Sequence, residues 1–147
     1  RQSVAEIVTA HWREYGRNYY SRHDYEEVDA EAANGLMTAL RAQLPGLVGQ
    51  HGIAMADDFS YDDPVDGSRT THQGIRLIFA DGSRIIYRLS GTGTAGATLR
   101  VYIESYVAGP TGLDLDPQDA LKDLVAAALD LAQIPSRTGR SAPTVIT

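Results

Sequence analysis

At 147 residues the chain is one domain by size, long enough to bury a real core. Its net charge of −6 argues against a nucleic-acid or anionic-membrane partner, either of which wants a basic field. It has no cysteine for a disulfide framework or a thiolate metal site, and no apolar run approaches the ~20 residues that cross a bilayer.

Ser3-Val4-Ala5-Glu6 places a hydroxyl three residues ahead of a glutamate, the pattern of a capping box, and Ile7, Val8 and Trp12 follow at helical spacing. This predicts a helix from Ser3 to Tyr15, ended by Gly16, with Trp12 anchoring it to the domain. Asn18 to Val28 reads as a strand running into an acidic turn, and Arg17, Arg22, His23 and Asp24 read as charges pairing at a strand end. Asp29 is placed to cap a second helix whose buried face is Leu36, Met37, Leu40 and Leu44, with Pro45-Gly46 as its stop.

Leu47 to Gly74 is the least regular stretch, a weakly patterned strand around Ile53 to Tyr61 followed by the turn residues Asp62 to Ser68. Asp57, Asp58, Asp62, Asp63 and Asp66 lack the ordered alternation and terminal glutamate of a calcium loop, so they read as a solvated acidic turn. Ile75 to Phe79 and Ile85 to Leu89 form a hairpin. A two-residue turn would mix its faces, whereas a loop of Ala80-Asp81-Gly82 pairs Leu77 with Ile85 and Ile75 with Tyr87 and needs φ > 0 at Gly82. A strand from Thr98 to Val107 ends at Gly109-Pro110. Asp116 and Pro117 then open a last helix with the apolar stripe Leu121, Leu124, Val125, Ala128, Leu131 and Ala132. Residues 137–147 make a tail in which Val145-Ile146 can dock in extended form and Arg137 and Arg140 carry charge.

Between the last two strands lies the stretch with the composition of an anion site. Arg88 and Arg100 bracket a loop of small residues in which Gly91 and Gly93 let backbone N–H groups approach a ligand and Ser90, Thr92 and Thr94 offer hydroxyls. The guanidinium forks match phosphate oxygens. Strand alternation sends both arginines to the face opposite Leu89, Leu99 and Val101.

The run Arg88-Leu89-Ser90-Gly91-Thr92-Gly93, continuing to Ala97-Thr98-Leu99-Arg100-Val101-Tyr102, resembles the phosphate-binding loop of the last domain of the α-D-phosphohexomutases. Thr92-Gly93 is the form of the glucose-specific phosphoglucomutase branch, where the phosphomannomutase branch usually has Glu-Pro. His11 to Val28 and Asp63-Pro64-Val65-Asp66-Gly67 resemble the same branch, so the likeness spans nearly the whole chain.

The resemblance implies a single phosphate-binding C-terminal domain over residues 1–147, with residues 1–16 leading in from an upstream domain. The expected fold is α+β: an antiparallel four-stranded sheet with helices on one face, TATA-binding-protein-like, plus the N-terminal helix. The expected site is Arg88, Ser90, Gly91, Thr92, Gly93, Thr94 and Arg100, gripping the non-reacting phosphate of glucose 1-phosphate or glucose 6-phosphate. In such enzymes a phosphoserine, Mg²⁺ and glucose 1,6-bisphosphate serve the chemistry from other domains. This domain is therefore expected to bind no cofactor of its own, to be inactive alone, to have the upstream domains as partners and to reside in the cytoplasm. The competing expectation is a stand-alone interaction module of the same fold.

Overall fold

The computed structural model describes residues 1–91 and 96–147. In chain order the elements are helix α1 (Val4–Tyr15), strand β1 (Arg17–Val28), helix α2 (Ala30–Leu47), strands β2 (Ile53–Asp62), β3 (Arg69–Phe79), β4 (Arg84–Ser90) and β5 (Ala97–Val107), helices α3 (Pro117–Ala132) and α4 (Ile134–Thr138), and strand β6 (Val145–Ile146). The strands form one antiparallel sheet in the order β2-β3-β4-β5-β1-β6.

The four-stranded, TATA-binding-protein-like sheet expected from the sequence is thus six strands wide. Both added strands are weakly encoded for a physical reason. β2 pairs on one side only and carries register shifts between Ile53 and Met55 and between Phe59 and Tyr61, which break its alternation. β6 has only two residues, and pairs them with His23 and Asp24 of β1.

Alternation sets the core. Tyr19 and Tyr25 of β1, Ile75 and Leu77 of β3, Ile85 and Tyr87 of β4, and Leu99, Val101 and Ile103 of β5 all face one side and are buried. α2 covers them with Ala33, Leu36, Met37, Leu40, Leu44 and Leu47, and α3 with Leu121, Ala128 and Ala132. The Tyr87 hydroxyl donates to the Ala128 carbonyl at 2.8 Å, satisfying the polar end of a fully buried ring and fixing α3 on the sheet. Burial pushes its phenol well above the ordinary tyrosine range.

The local signals mostly hold. Ser3 and Glu6 form the reciprocal capping box, Asp29 caps α2, and Asp116 with Pro117 opens α3. The β3–β4 register is Ile75 with Tyr87 and Leu77 with Ile85, around a turn in which Gly82 has φ +85°. Pro45-Gly46 does not stop α2, which continues to Leu47 with Pro45 inside it. So near the end the proline forfeits one intrahelical bond, and buried Leu44 and Leu47 hold the last turn against the core.

α1 also departs from expectation, because none of its residues is buried and Val4, Ile7 and Tyr15 are exposed. Its half-buried Trp12 meets Arg17 rather than the core. The Arg17 guanidinium lies 4.0 Å from the Trp12 ring centre and 4.0 Å from that of Tyr19. It also donates through Nη1 to the Leu113 carbonyl at 2.5 Å. The Tyr19 hydroxyl donates to the Gly112 carbonyl and accepts from the Leu115 N–H, so this strand end ties the 112–115 loop to α1.

Candidate phosphate-binding site

The two helices leave the other face of the sheet open between the strands, and the arginines are there. β4 and β5 pair Arg88 with Arg100, Leu89 with Leu99 and Ser90 with Thr98, so the two guanidinium-bearing residues are direct cross-strand neighbours. Leu99 and Val101 point into the core, which puts Arg88, Arg100 and half-buried Ser90 on the open face, as alternation requires. Gly91 is exposed at φ +64° and begins the loop. Thr92, Gly93 and Thr94 lie outside the described residues.

Gly96 closes the loop at φ +97° against the end of β1, where an added Cβ would stand 3.2 Å from Glu27 Cα and 3.3 Å from the Val28 carbonyl oxygen. Glu27 itself has φ +54°, at a register shift between Tyr25 and Val28. The Arg140 Nη2 donates to the Glu27 carbonyl at 2.9 Å, and the Glu26 N–H donates to Thr144 Oγ1. The tail therefore braces the backbone on which the loop rests.

Arg88 is exposed and makes no ion pair among the described residues. It borders a depression of about 590 Å³ on the open face, whose wall includes Tyr102, Ile86, Gly74, Arg76 and Phe59. Gly74 lies beneath it, where a side chain would press within 3.1 Å of the Tyr87 carbonyl oxygen. Arg76 is engaged elsewhere, holding Asp57 through two bonds of 2.8 and 2.5 Å and standing 4.4 Å over the Phe59 ring. That pairing raises its pKa above the ordinary arginine value.

Arg22 and Asp24 form the strand-end pair that the sequence predicts, with Arg22 Nε 2.9 Å from Asp24 Oδ1. Asp24 is nevertheless buried and has a second neighbour, Arg100, at 3.8 Å. Even-numbered parity in β1 places Arg22 and Asp24 on the open face, but only the β1–β5 register reveals that Asp24 stands opposite Arg100. Among the described residues no three metal-ligating side chains converge. No helix among them is long and apolar enough to cross a membrane.

Residues 17–144 match the family model "Phosphoglucomutase-1, C-terminal domain". The chain is 56% identical over 151 residues to the phosphoglucomutase of Rhizobium radiobacter and 50% identical over 157 residues to Phosphoglucomutase-1 of Homo sapiens, in each case over 100% of the chain and 28% of the relative. The crystal structure of the Paramecium exocytosis-sensitive phosphoprotein pp63/parafusin, a phosphoglucomutase in its open form, superposes with a TM-score of 0.88 at 44% identity, over 99% of this chain and 25% of that one. The chain thus spans about a quarter of the length of the proteins it matches, and it belongs to the phosphoglucomutase-1 C-terminal domain family.

Proposed function

We propose that this chain is the substrate-phosphate clamp of a phosphoglucomutase, holding the non-reacting phosphate of glucose 1-phosphate or glucose 6-phosphate while the rest of such an enzyme performs the transfer. The observation that carries the reading is the cross-strand pair Arg88 and Arg100, both on the open face at the root of a loop of small and hydroxyl-bearing residues. Two guanidinium groups supply N–H donors to a dianion, and Ser90 and the amides of Gly91 and Gly93, with Thr92 and Thr94, would complete the donor set.

Such a site reads charge and tetrahedral shape, not the sugar. It accepts either phosphate of glucose 1,6-bisphosphate, which suits a reaction in which the intermediate must be bound in both orientations. The work of the domain is then to fix the distal phosphate and so orient the reacting end. Phosphoserine chemistry and Mg²⁺ belong to the upstream domains that would be its partners. The chain by itself is accordingly inactive as a mutase, and a cytoplasmic setting is part of the same proposal.

Titration of the ¹⁵N-labelled chain with glucose 1,6-bisphosphate and with inorganic phosphate tests the reading. Shifts centred on residues 88–100 are expected, with Arg88→Ala weakening binding by about 10- to 100-fold, the equivalent of about 1.5–3 kcal/mol for a charge-assisted hydrogen bond. No response to either ligand would favour an interaction module, and mutase turnover by the chain alone would overturn the division of labour.

A further inference from the structure

We propose that Asp24 is a positioning residue for the phosphate site, acting through Arg100; the inference rests on the clamp reading above. Antiparallel pairing sets Asp24 opposite Arg100 and Arg100 opposite Arg88, so three charged side chains form one row across β1, β5 and β4 on the open face. The middle member is the one Asp24 controls.

A side chain on an uncovered sheet face is ordinarily wet, yet that of Asp24 is only 6% exposed. Burying a carboxylate is unfavourable unless cations and donors surround it. Arg22 supplies one at 2.9 Å. Arg100 supplies the other through Nε, whose 3.8 Å separation from Asp24 Oδ2 is an ion-pair distance too long for a hydrogen bond. That Nε is itself buried and has no hydrogen-bond partner among the described residues, although the Arg100 side chain as a whole is 37% exposed. The inner edge of the guanidinium is thus drawn toward Asp24, and the outer edge is left to meet an anion.

Two further observations give Asp24 the rigidity a positioning group needs. Its backbone carbonyl accepts from the Thr144 N–H at 2.7 Å, and Arg22 exchanges both backbone bonds with Thr147, so β1 is clamped on its outer side at this point. Arg88 and Arg100, as like charges directly opposite, repel each other. A fixed carboxylate on the far side of Arg100 offsets that repulsion before any phosphate arrives.

The sign of one substitution separates positioning from bulk electrostatics. Removing a negative charge beside an anion site should tighten anion binding if charge alone matters, and should loosen it if Asp24 orients Arg100. The experiment is titration of the ¹⁵N-labelled chain with inorganic phosphate, following the Arg100 Nε–Hε signal and the loop amides, for wild type, Asp24→Asn and Arg100→Gln, with a thermal melt of each. We expect Asp24→Asn to weaken phosphate by about 3- to 10-fold and to speed solvent exchange at Arg100 Nε–Hε. In the Arg100→Gln background Asp24→Asn should have no further effect.

Equal or tighter phosphate binding by folded Asp24→Asn overturns the inference and leaves the clamp intact. Absence of phosphate binding by wild type overturns both. If Asp24→Asn does not fold, Asp24→Glu takes its place, keeping the charge and shifting it by one methylene. Weakened binding with a melting point near wild type supports positioning, and unchanged affinity overturns it.

Discussion

Gly96 and Gly91 flank the same loop and permit a controlled substitution. Both have positive φ, +97° and +64°, but a Cβ at Gly91 meets nothing within 4 Å among the described residues while one at Gly96 meets the backbone of Glu27 and Val28 at 3.2 and 3.3 Å. Alanine at Gly91 therefore bears only the backbone penalty, about 1–2 kcal/mol. At Gly96 the same penalty is joined by overpacking, about 1–3 kcal/mol. The neighbour cannot easily yield, because the Glu27 carbonyl is held by Arg140 and the Glu26 N–H by Thr144. For a chain of this size each kcal/mol lowers the melting temperature by about 2–4 °C, so Gly96→Ala should fall by roughly 4–20 °C and Gly91→Ala by roughly 2–8 °C. Thermal unfolding followed by circular dichroism measures both. Equal losses at the two positions would refute the claim that the loop is seated on the end of β1.

Three further outcomes are expected. Arg17→Lys removes the planar group stacked on Trp12 and Tyr19, and Trp12 is the only tryptophan, so its fluorescence should move to the red as α1 loosens; an unchanged spectrum would count against Arg17 as the anchor of that helix. Tyr87 binds its proton more tightly when folded than unfolded, so its contribution to stability is complete below the unfolded pKa of about 10 and is lost as pH rises beyond it. Tyr87→Phe should therefore cost about 1 kcal/mol at neutral pH through the lost bond to Ala128, yet flatten alkaline unfolding, and denaturant titrations at neutral pH and above pH 10 would show whether the slope changes. Arg88→Ala should leave the melting temperature near wild type, since the side chain is exposed and unpaired among the described residues, while weakening phosphate; a large stability loss would mean it is a structural residue.

What could be read in advance follows from the range of each interaction. Caps and turns are decided within four residues, which is why Ser3, Asp29, Asp116 and Gly82 were legible. Strand parity is equally local and sufficed to put Arg88 and Arg100 on one face. The placement of Pro45 inside α2 depended on Leu47 finding a buried seat, and the pairing of β6 depended on where the tail returns, both settled by tertiary packing. Asp24 illustrates the same limit within the site. Arg22-His23-Asp24 has the composition of many solvated strand ends, and its burial beside Arg100 follows from a register set across 76 positions of chain.

The two edges of the sheet raise a question of solubility. A long flat edge invites another chain to add itself by backbone pairing, and β2 discourages this by two changes of register and by Asp57, Asp58 and Asp62 along its length. β1 is twelve residues long and rich in tyrosine, and over Arg22 to Asp24 its outer side is occupied by the last residues of the chain. Where those residues pair, the backbone N–H and C=O groups of β1 are already engaged and offer a second chain no ladder to extend.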